Sequence, residues 1–147
     1  MLAIGSDHGG YTLKQKIIEY LKQNNIEFKD FGSFDNASID YPNIAFPLAK
    51  EVANGNYEKG ILICGTGIGM SIAANKVKGI RAAVCCDTFS TRFTRLHNNA
   101  NILCLGGRVI GDGLALDIIE VFLNTKFEGG RHANRIALIT NIENNTL

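Results

Sequence analysis

The sequence predicts an α/β protein: a three-layer α/β/α sandwich around a five-stranded, mostly parallel sheet. Short apolar runs alternate with segments whose apolar residues recur every three or four positions, and this alternation is typical of βαβ units. The chain has 147 residues, of which 46% are hydrophobic, so it is long enough for one domain with a sizeable core. We therefore expect a single Rossmann-like domain over residues 1–147, in which residues 136–147 form a C-terminal extension without motifs.

Five apolar runs predict the strands. Their length and their content of β-branched residues are typical of strands that are buried on both faces, as in parallel sheets. The predicted strands are Leu2–Ile4, Ile26–Phe31, Ile61–Cys64, Ile80–Cys86 and Ile102–Leu105.

The segments between these runs show helical spacing. Pro47 falls inside one of the predicted helices, so we expect that helix to begin late or to bend there. Another helix should begin near Asp87 and end near His97. The apolar faces that predict the helices are Leu13, Ile17 and Leu21; Ile44, Leu48 and Val52; Met70, Ile72, Ala73 and Val77; and Leu114, Ile118 and Phe122.

This fold class predicts where a functional site lies. In open α/β sheets, ligands bind beyond the carboxyl ends of the strands. Polar and ionisable residues are concentrated in the segments that should reach that edge: Gly5–Gly10 ("GSDHGG"), Asp40–Tyr41, Cys64–Gly69 ("CGTGIG"), Asp87, and Gly106–Arg108 ("GGR").

Composition and charge exclude several classes of function. The formal net charge is +1, with 15 basic and 14 acidic residues, so no overall field favours nucleic acid or an anionic membrane. The apolar start, "MLAI", is too short for a signal-peptide core. The four cysteines form no C-x-x-C pair and resemble reduced thiols. We expect a cytoplasmic protein without nucleic-acid or membrane partners.

The segment "ILICGTGIGMS", Ile61 to Ser71, joins a predicted strand to a glycine loop and a helix N-terminus. Glycine lets the backbone come close to a ligand, and unpaired N–H groups at a helix N-terminus favour anions and thiolates. Thr66 adds a hydroxyl inside the loop. Cys64 is therefore either a reactive thiol or a small hydrophobic residue at a strand end. The other three cysteines, Cys85, Cys86 and Cys104, lie in apolar runs and are interpreted as packing residues.

The glycines at 65, 67 and 69 also permit a dinucleotide-binding interpretation, with Asp87 as the ribose-binding acid. That fingerprint requires G-x-G-x-x-G, and its third glycine would fall on Met70. It also normally follows the first strand of the fold, whereas this loop follows the third. The dinucleotide interpretation is therefore disfavoured.

The histidines and arginines suggest a site for a phosphate rather than for a metal. His8 lies in the first loop and His97 ends a predicted helix, while His132 has no context of its own and is interpreted as a surface or packing residue. No pair of histidines has metal-ligand spacing, so we expect no metal. Arg131 and Arg135 are four residues apart, and on a helix both guanidinium groups would point the same way, as a fork for one phosphate.

Seven segments together resemble the type B ribose-5-phosphate isomerases, within the wider family that includes allose- and galactose-6-phosphate isomerases. They occur in the family's order between positions 5 and 135. The matching segments are "GSDHGG", "DYP", "ICGTGIGMSIAANK", "GIRAAV", "HNNANIL", "GGRVIG" and "GGRHANR".

The resemblance implies reversible conversion of D-ribose 5-phosphate and D-ribulose 5-phosphate through an enediolate, without a metal or organic cofactor. Cys64 corresponds to the general base, and His97 to the residue that opens the sugar ring. Thr66 and the backbone N–H groups of the loop would bind the enediolate oxygen. The substrate-binding positions that the family implies are Asp7, His8, Tyr41, Gly65, Gly67, Ile68, Gly69, Ser71, Asn98, Arg108, Arg131 and Arg135, of which His8 and the three arginines would bind phosphate.

Two alternatives stay open. An allose-6-phosphate or galactose-6-phosphate isomerase would differ in pocket length, although galactose-6-phosphate members depart from the "SDHGG" and arginine-pair segments kept here. A non-catalytic domain that binds sugar phosphate or nucleotide would keep the loop but would not need both Cys64 and His97.

The predicted topology bears on assembly. The helix that starts near Asp87 leaves the carboxyl edge of the sheet, so its last turn, with His97, should lie near the opposite edge from Cys64. If both act on one sugar, the simplest arrangement is a homodimer with shared active sites. Arg131 and Arg135 follow another returning helix and could cross to the partner in the same way. A dimer of dimers is left open.

Overall fold

The computed structural model describes residues 1–147 as one parallel sheet with helices on both faces. Strands and helices alternate through most of the chain, as the sequence predicted. The elements are β1 (Leu2–Ser6), α1 (Tyr11–Gln23), β2 (Phe28–Asp30), α2 (Pro42–Ala53), β3 (Lys59–Cys64), α3 (Ile68–Ala74), β4 (Ala82–Val84), α4 (Thr88–Asn98), β5 (Ile102–Gly106), α5 (Asp112–Asn124) and α6 (Arg131–Glu143).

The sheet has the strand order β2-β1-β3-β5-β4, and every neighbouring pair is parallel. This confirms the predicted fold class. The two edge strands are shorter than predicted, covering 28–30 instead of 26–31 and 82–84 instead of 80–86. An edge strand has only one neighbour to pair with. Flanking residues such as Ile80 and Cys85 are therefore buried in the core without belonging to the ladder.

Two hydrophobic cores fill the sandwich, one on each face of the sheet. Side chains of α1 and α5 pack on one face with residues such as Ile4 and Leu103, and side chains of α2 and α3 pack on the other with residues such as Leu62 and Ile102. Because alternate residues of the three central strands point to opposite faces, these strands are buried along their whole length, apart from Lys59 at the start of β3.

Two helix predictions need correction. Helix α2 begins at Pro42 and continues through Pro47, so it does not begin late. Pro42 occupies the first turn, where no intrahelical N–H bond is lost, and Pro47 lies on the exposed side of the helix. Helix α3 ends at Ala74, before Val77, which packs against the core from the following turn.

Helix α6 lies outside the sandwich and packs on α4. His132 is the one buried residue of α6. Three large apolar side chains of the same helix are 41–58% exposed: Leu138, Ile139 and Ile142. The segment 136–147, in which the sequence shows no motif, forms the rest of this helix as far as Glu143. No helix of the protein is both long and apolar enough to cross a membrane.

The close approach of α1 to β3 gives a first testable prediction. A Cβ at Gly10 would lie 2.4 Å from the backbone oxygen of Ile63, and the strand cannot move aside without disturbing the centre of the sheet. We expect Gly10→Ala to lower stability by about 1–3 kcal/mol, as overpacking does. Thermal unfolding measures this loss. Gly113→Ala is the matched control, because a Cβ there would meet nothing within 4 Å; equal melting temperatures for the two variants would contradict the prediction.

Candidate active site

The loops that follow β1, β3 and β5 meet at the carboxyl edge of the sheet. The backbone N–H of Gly107 donates to the carbonyl of Cys64 at 2.8 Å, and that of Arg108 donates to the carbonyl of Gly65 at 3.0 Å. A Cβ at Gly9 would lie 3.0 Å from the nitrogen of Gly65. The glycines of these loops therefore allow three backbone segments to pack directly on one another.

Cys64 lies at the centre of this edge, as the last residue of β3. Its side chain faces the core formed with α2 and α3, and it is 5% exposed. The N–H of Gly67, the residue before α3, donates to Sγ at 3.1 Å. Gly67 has φ of +80°, a left-handed conformation that glycine adopts without strain. The loop thus turns a backbone donor onto the sulfur.

The other cysteines have different surroundings. Cys85 and Cys104 are buried, and burial raises the pKa of both thiols, in agreement with packing roles. Cys86 is exposed, so the interpretation of this residue as a packing cysteine is wrong. Cys86 lies two residues after the end of the edge strand β4 and is therefore outside the sheet.

The remaining loop residues predicted for the site lie around Cys64. The hydroxyl of Thr66 accepts a hydrogen bond from the N–H of Ile68 at 3.3 Å, and the hydroxyl of Ser71 donates to the carbonyl of Ile68 at 2.8 Å. Ser71 therefore uses its proton within the first turn of α3. Gly69 is covered by the ring of Tyr41, whose Cζ would lie 2.8 Å from a Cβ at that position.

The loop after β1 contributes an acid and a histidine. Asp7 is 7% exposed, and its Oδ1 accepts a hydrogen bond from the N–H of Gly10 at 3.1 Å. His8 is exposed, and its Nδ1 accepts from the N–H of Ile39 at 3.4 Å. The guanidinium of Arg108 lies over Gly65, with Nη1 3.3 Å from where a Cβ would be. Acid, thiol, hydroxyl and cation are thus brought to one edge.

Asp87 does not act as the ribose-binding acid of the dinucleotide interpretation. It is the N-cap of α4, and its Oδ1 accepts a hydrogen bond from the N–H of Ser90 at 2.6 Å. The bonds from Ser90 lower the pKa of this carboxyl. The carboxylate is therefore used to start the helix.

His97, Asn98, Arg131 and Arg135 lie elsewhere, beyond the amino edge of the sheet. Helix α4 returns from the end of β4 and finishes just before Asn101, whose carbonyl accepts from the N–H of Gly60 near the start of β3. From Gly60 to Cys64 the strand rises about 13 Å. His97 and Cys64 of one chain therefore lie far apart. The predicted topology had placed them at opposite edges in the same way.

The end of α4 is held by two arginines that the sequence analysis did not single out. Arg81 Nε donates to the carbonyls of Asn98 and Asn99 at 3.0 and 3.1 Å, and Arg95 Nη1 donates to the carbonyl of Ala100 at 2.6 Å. Asn99 ends the helix with φ of +45°. Within "HNNAN", Asn99 and Asn101 thus have structural roles.

His97 also belongs to a group that spacing in the sequence could not reveal. His97, Glu128 and His132 bring three possible ligand atoms within 4.8 Å of one another. The two imidazole rings are stacked, with centroids 4.0 Å apart and planes 9° from parallel. A ring nitrogen binds a metal in the plane of its ring, and two parallel stacked planes do not converge on one ion. This arrangement does not fit a metal site.

The chain is similar to known proteins over nearly its whole length. Residues 2–139 match the family model described as Ribose/Galactose Isomerase. The chain is 49% identical over 142 residues to ribose-5-P isomerase B of Listeria innocua, covering 97% of this chain and 96% of that protein.

Two solved structures have the same fold. Ribose-5-phosphate isomerase B of Clostridium thermocellum superposes with a TM-score of 0.97 at 52% identity, over 99% of both chains. Ribose-5-phosphate isomerase B of Mycoplasma genitalium with bound ribulose-5-phosphate has a TM-score of 0.92 at 44% identity, over 97% of this chain and 95% of that one. With the family model matching nearly the whole chain, this protein belongs to the ribose/galactose isomerase family.

Proposed function

We propose that this protein interconverts D-ribose 5-phosphate and D-ribulose 5-phosphate through an enediolate, with Cys64 as the general base and no cofactor. The observation that carries the proposal is the Cys64 thiol at the end of β3, with the N–H of Gly67 on its sulfur and Asp7, Thr66 and Arg108 in adjoining loops. Relatives named ribose-5-phosphate isomerase B, one of them with ribulose-5-phosphate bound, support the choice of substrate.

In the proton-transfer step, the Cys64 thiolate removes the proton from C2 of the open-chain aldose. The C2–H electron pair forms the C1–C2 double bond, and the carbonyl pair moves to O1, which gives an enediolate. The same thiol returns a proton to C1 while the O2 proton passes to O1, which leaves a hydroxyl group at C1 and the ketone at C2. The reaction is therefore balanced without an external oxidant or reductant.

The glycine loop supplies donors for the enediolate oxygen. We assign this role to the hydroxyl of Thr66 and to the N–H groups of Gly65, Thr66 and Gly69, because the N–H groups of Gly67 and Ile68 are bound to Cys64 Sγ and Thr66 Oγ1. One such donor is commonly worth about 3–4 kcal/mol in the transition state. Ser71 acts indirectly, because its hydroxyl proton is bound to the carbonyl of Ile68.

The remaining polar residues hold the sugar and its phosphate. Asp7, Tyr41 and Asn98 would bind hydroxyl groups, and His97 would transfer a proton at the ring oxygen. His8, Arg108, Arg131 and Arg135 would bind the phosphate. The two last arginines are exposed and lie four residues apart at the start of α6, which supports a fork on one anion.

Assembly follows from the positions of these residues. Because His97, Arg131 and Arg135 lie at the opposite edge from Cys64, we propose a homodimer in which each site combines the carboxyl edge of one chain with the amino edge of its partner. Exposed apolar side chains support a second copy as the covering surface: Val84, Phe89, Leu138, Ile139 and Ile142 are all 41% exposed or more.

The substrate assignment is tested by assaying ribose 5-phosphate against allose 6-phosphate under identical conditions. We expect the larger kcat/KM with ribose 5-phosphate. A larger value with allose 6-phosphate would make the protein a hexose-phosphate isomerase. Binding of both sugars without turnover would instead favour a non-catalytic sugar-phosphate-binding domain.

The phosphate assignment gives a second prediction. Arg131→Ala and Arg135→Ala should each raise KM for ribose 5-phosphate about 10- to 100-fold, since each removes a charge-assisted bond to the phosphate. Remote binding energy also serves the chemical step, so kcat should fall as well. Steady-state kinetics with ribose 5-phosphate measure both changes. Free ribose, which lacks the phosphate, should be a very poor substrate.

Arg92→Ala is the matched control for this prediction, because Arg92 is an exposed arginine of α4 with no assigned role. Its KM should equal that of the unmodified protein. A normal KM in the double variant Arg131→Ala/Arg135→Ala would show that α6 does not bind the phosphate.

A further inference from the structure

Three ionisable side chains from three segments meet beyond the amino edge of the sheet. His97 ends α4, His132 begins α6, and Glu128 lies in the loop between α5 and α6. The Oε2 atom of Glu128 lies 3.6 Å from Nε2 of each histidine, and the N–H of Glu128 donates to the carbonyl of Leu96 at 3.1 Å. The loop is therefore fastened to the last turn of α4, and its carboxylate faces both rings.

The ring of His97 is held from two sides. Its partner on one side is the stacked ring of His132, and on the other the ring of Phe93 meets it edge-on, with centroids 4.9 Å apart. Phe93 belongs to α4 itself and His132 to α6, so neighbouring elements determine the plane of the imidazole. A side chain held in this way needs little reorganisation when it transfers a proton.

Burial distinguishes the two imidazole rings. His132 is 4% exposed, whereas the side chain of His97 is 34% exposed. Burial lowers the pKa of His132, as do His97, Arg131 and Arg135, while Glu128 acts in the opposite direction. A second positive charge on a stacked pair is also unfavourable. His132 therefore stays neutral, and the Glu128 carboxylate also faces the more exposed ring of His97, with Oε2 3.6 Å from its Nε2.

We propose that Glu128 and His132 are positioning residues for His97, an inference that rests on the proposed function. The stacked ring of His132 fixes the plane of His97, and Glu128 holds the proton on the nitrogen that faces it. The other nitrogen of the imidazolium donates its proton to the ring oxygen O4 of the furanose. The C1–O4 electron pair goes to O4, and C1 gains its double bond to O1 as the O1 proton passes to water.

Two substrates separate this step from the enediolate chemistry. Ribose 5-phosphate closes into a furanose through O4, whereas its 4-deoxy analogue lacks that oxygen and is always open-chain. Both have the same C1–C2 centre and the same phosphate. A defect in His97 or its positioning residues should lower turnover of the first substrate only. A general defect of folding or of assembly should lower both alike.

Glu128→Gln is the first variant to measure, because it removes the charge but keeps the shape. We expect kcat/KM for ribose 5-phosphate to fall about tenfold or more, as part of a general-acid contribution of about 10²–10⁴, with less than a twofold change for the 4-deoxy analogue. Glu120→Gln, an exposed carboxylate of α5, is the matched control and should change neither rate.

His132 is tested by a pair of variants. His132→Phe keeps an aromatic ring against His97 and should keep most of the activity on ribose 5-phosphate, whereas His132→Ala removes the stack and should lose about tenfold on that substrate alone. Equal losses on both substrates, or no loss in Glu128→Gln, would overturn the positioning role. If the unmodified protein isomerised the analogue but not ribose 5-phosphate, the ring-opening role would fail while the Cys64 chemistry stood. Turnover of neither sugar would refute the proposed function itself.

Discussion

Cys64→Ala should lose more than 99% of turnover with ribose 5-phosphate while its thermal unfolding stays close to that of the unmodified protein. The expected loss is large because the loops that follow β1, β3 and β5 contain no other thiol, and the general base contributes about 10²–10⁴ to the rate. The fold should survive, since alanine is small and Cys64 is the last residue of its strand. Residual activity above one hundredth would exclude the thiol as the base.

Alkylation provides an independent measurement of the same residue. Cys86 is exposed and would also react with iodoacetamide, so the experiment should start from Cys86→Ala, which itself should be fully active. In that background, iodoacetamide should inactivate the enzyme in step with modification of Cys64, and ribose 5-phosphate should protect it. Inactivation without modification of Cys64 would point to a different group.

The second large effect concerns the shared site. When Cys64→Ala and His97→Ala chains are unfolded together and refolded, about a quarter of the unmodified activity should return with ribose 5-phosphate. Random pairing makes half of the dimers mixed, and each mixed dimer has one intact site out of two. The two residues need different chains because they lie at opposite ends of β3. Gly60 is level with the end of α4, and the strand rises about 13 Å from Gly60 to Cys64. Each variant refolded alone should stay nearly inactive.

A reciprocal mixture makes this test stricter. A chain with both Cys64→Ala and His97→Ala is refolded with an equal amount of unmodified chain. If each site takes one residue from each chain, mixed dimers have no intact site and a quarter of the activity remains. If both residues act within one chain, half remains. The shared site would be refuted if half of the activity remained in this mixture and none returned in the mixture of the two single variants.

Much of the fold followed from the sequence because each element has a local signal. Alternating apolar runs and helical spacing identified five strands and the main helices, and turn chemistry located the loops at the carboxyl edge. The predictions were wrong where contacts with other elements determine the structure. Edge strands are shorter than their apolar runs because they pair on one side only, and α2 accommodates Pro47 because that residue faces solvent.

Residues whose roles depend on neighbours distant in the chain could not be predicted. The sequence analysis did not single out Lys14, which is fully buried, with its ammonium 2.7 Å from Asp30 and 2.6 Å from the carbonyl of Ser33. His132 was interpreted as a surface or packing residue; it is buried and stacks on His97, 35 positions earlier in the sequence. Helical or strand periodicity does not reveal contacts between residues so far apart in the chain. Near His132, the only local signal in the sequence was the four-residue spacing of Arg131 and Arg135.

The strand order carries a consequence for synthesis of the chain. Strand β4 pairs only with β5, which comes later in the sequence, whereas β1, β2 and β3 can already pair with one another. While the ribosome makes the protein from its N-terminus, the first three strands can assemble around α1 and α2. The edge that bears β4 and α4 has no template until residues 102–106 have emerged. A nascent chain halted before that point lacks the loop after β5 that packs on the thiol loop, and it has nowhere to dock the helix that ends in His97.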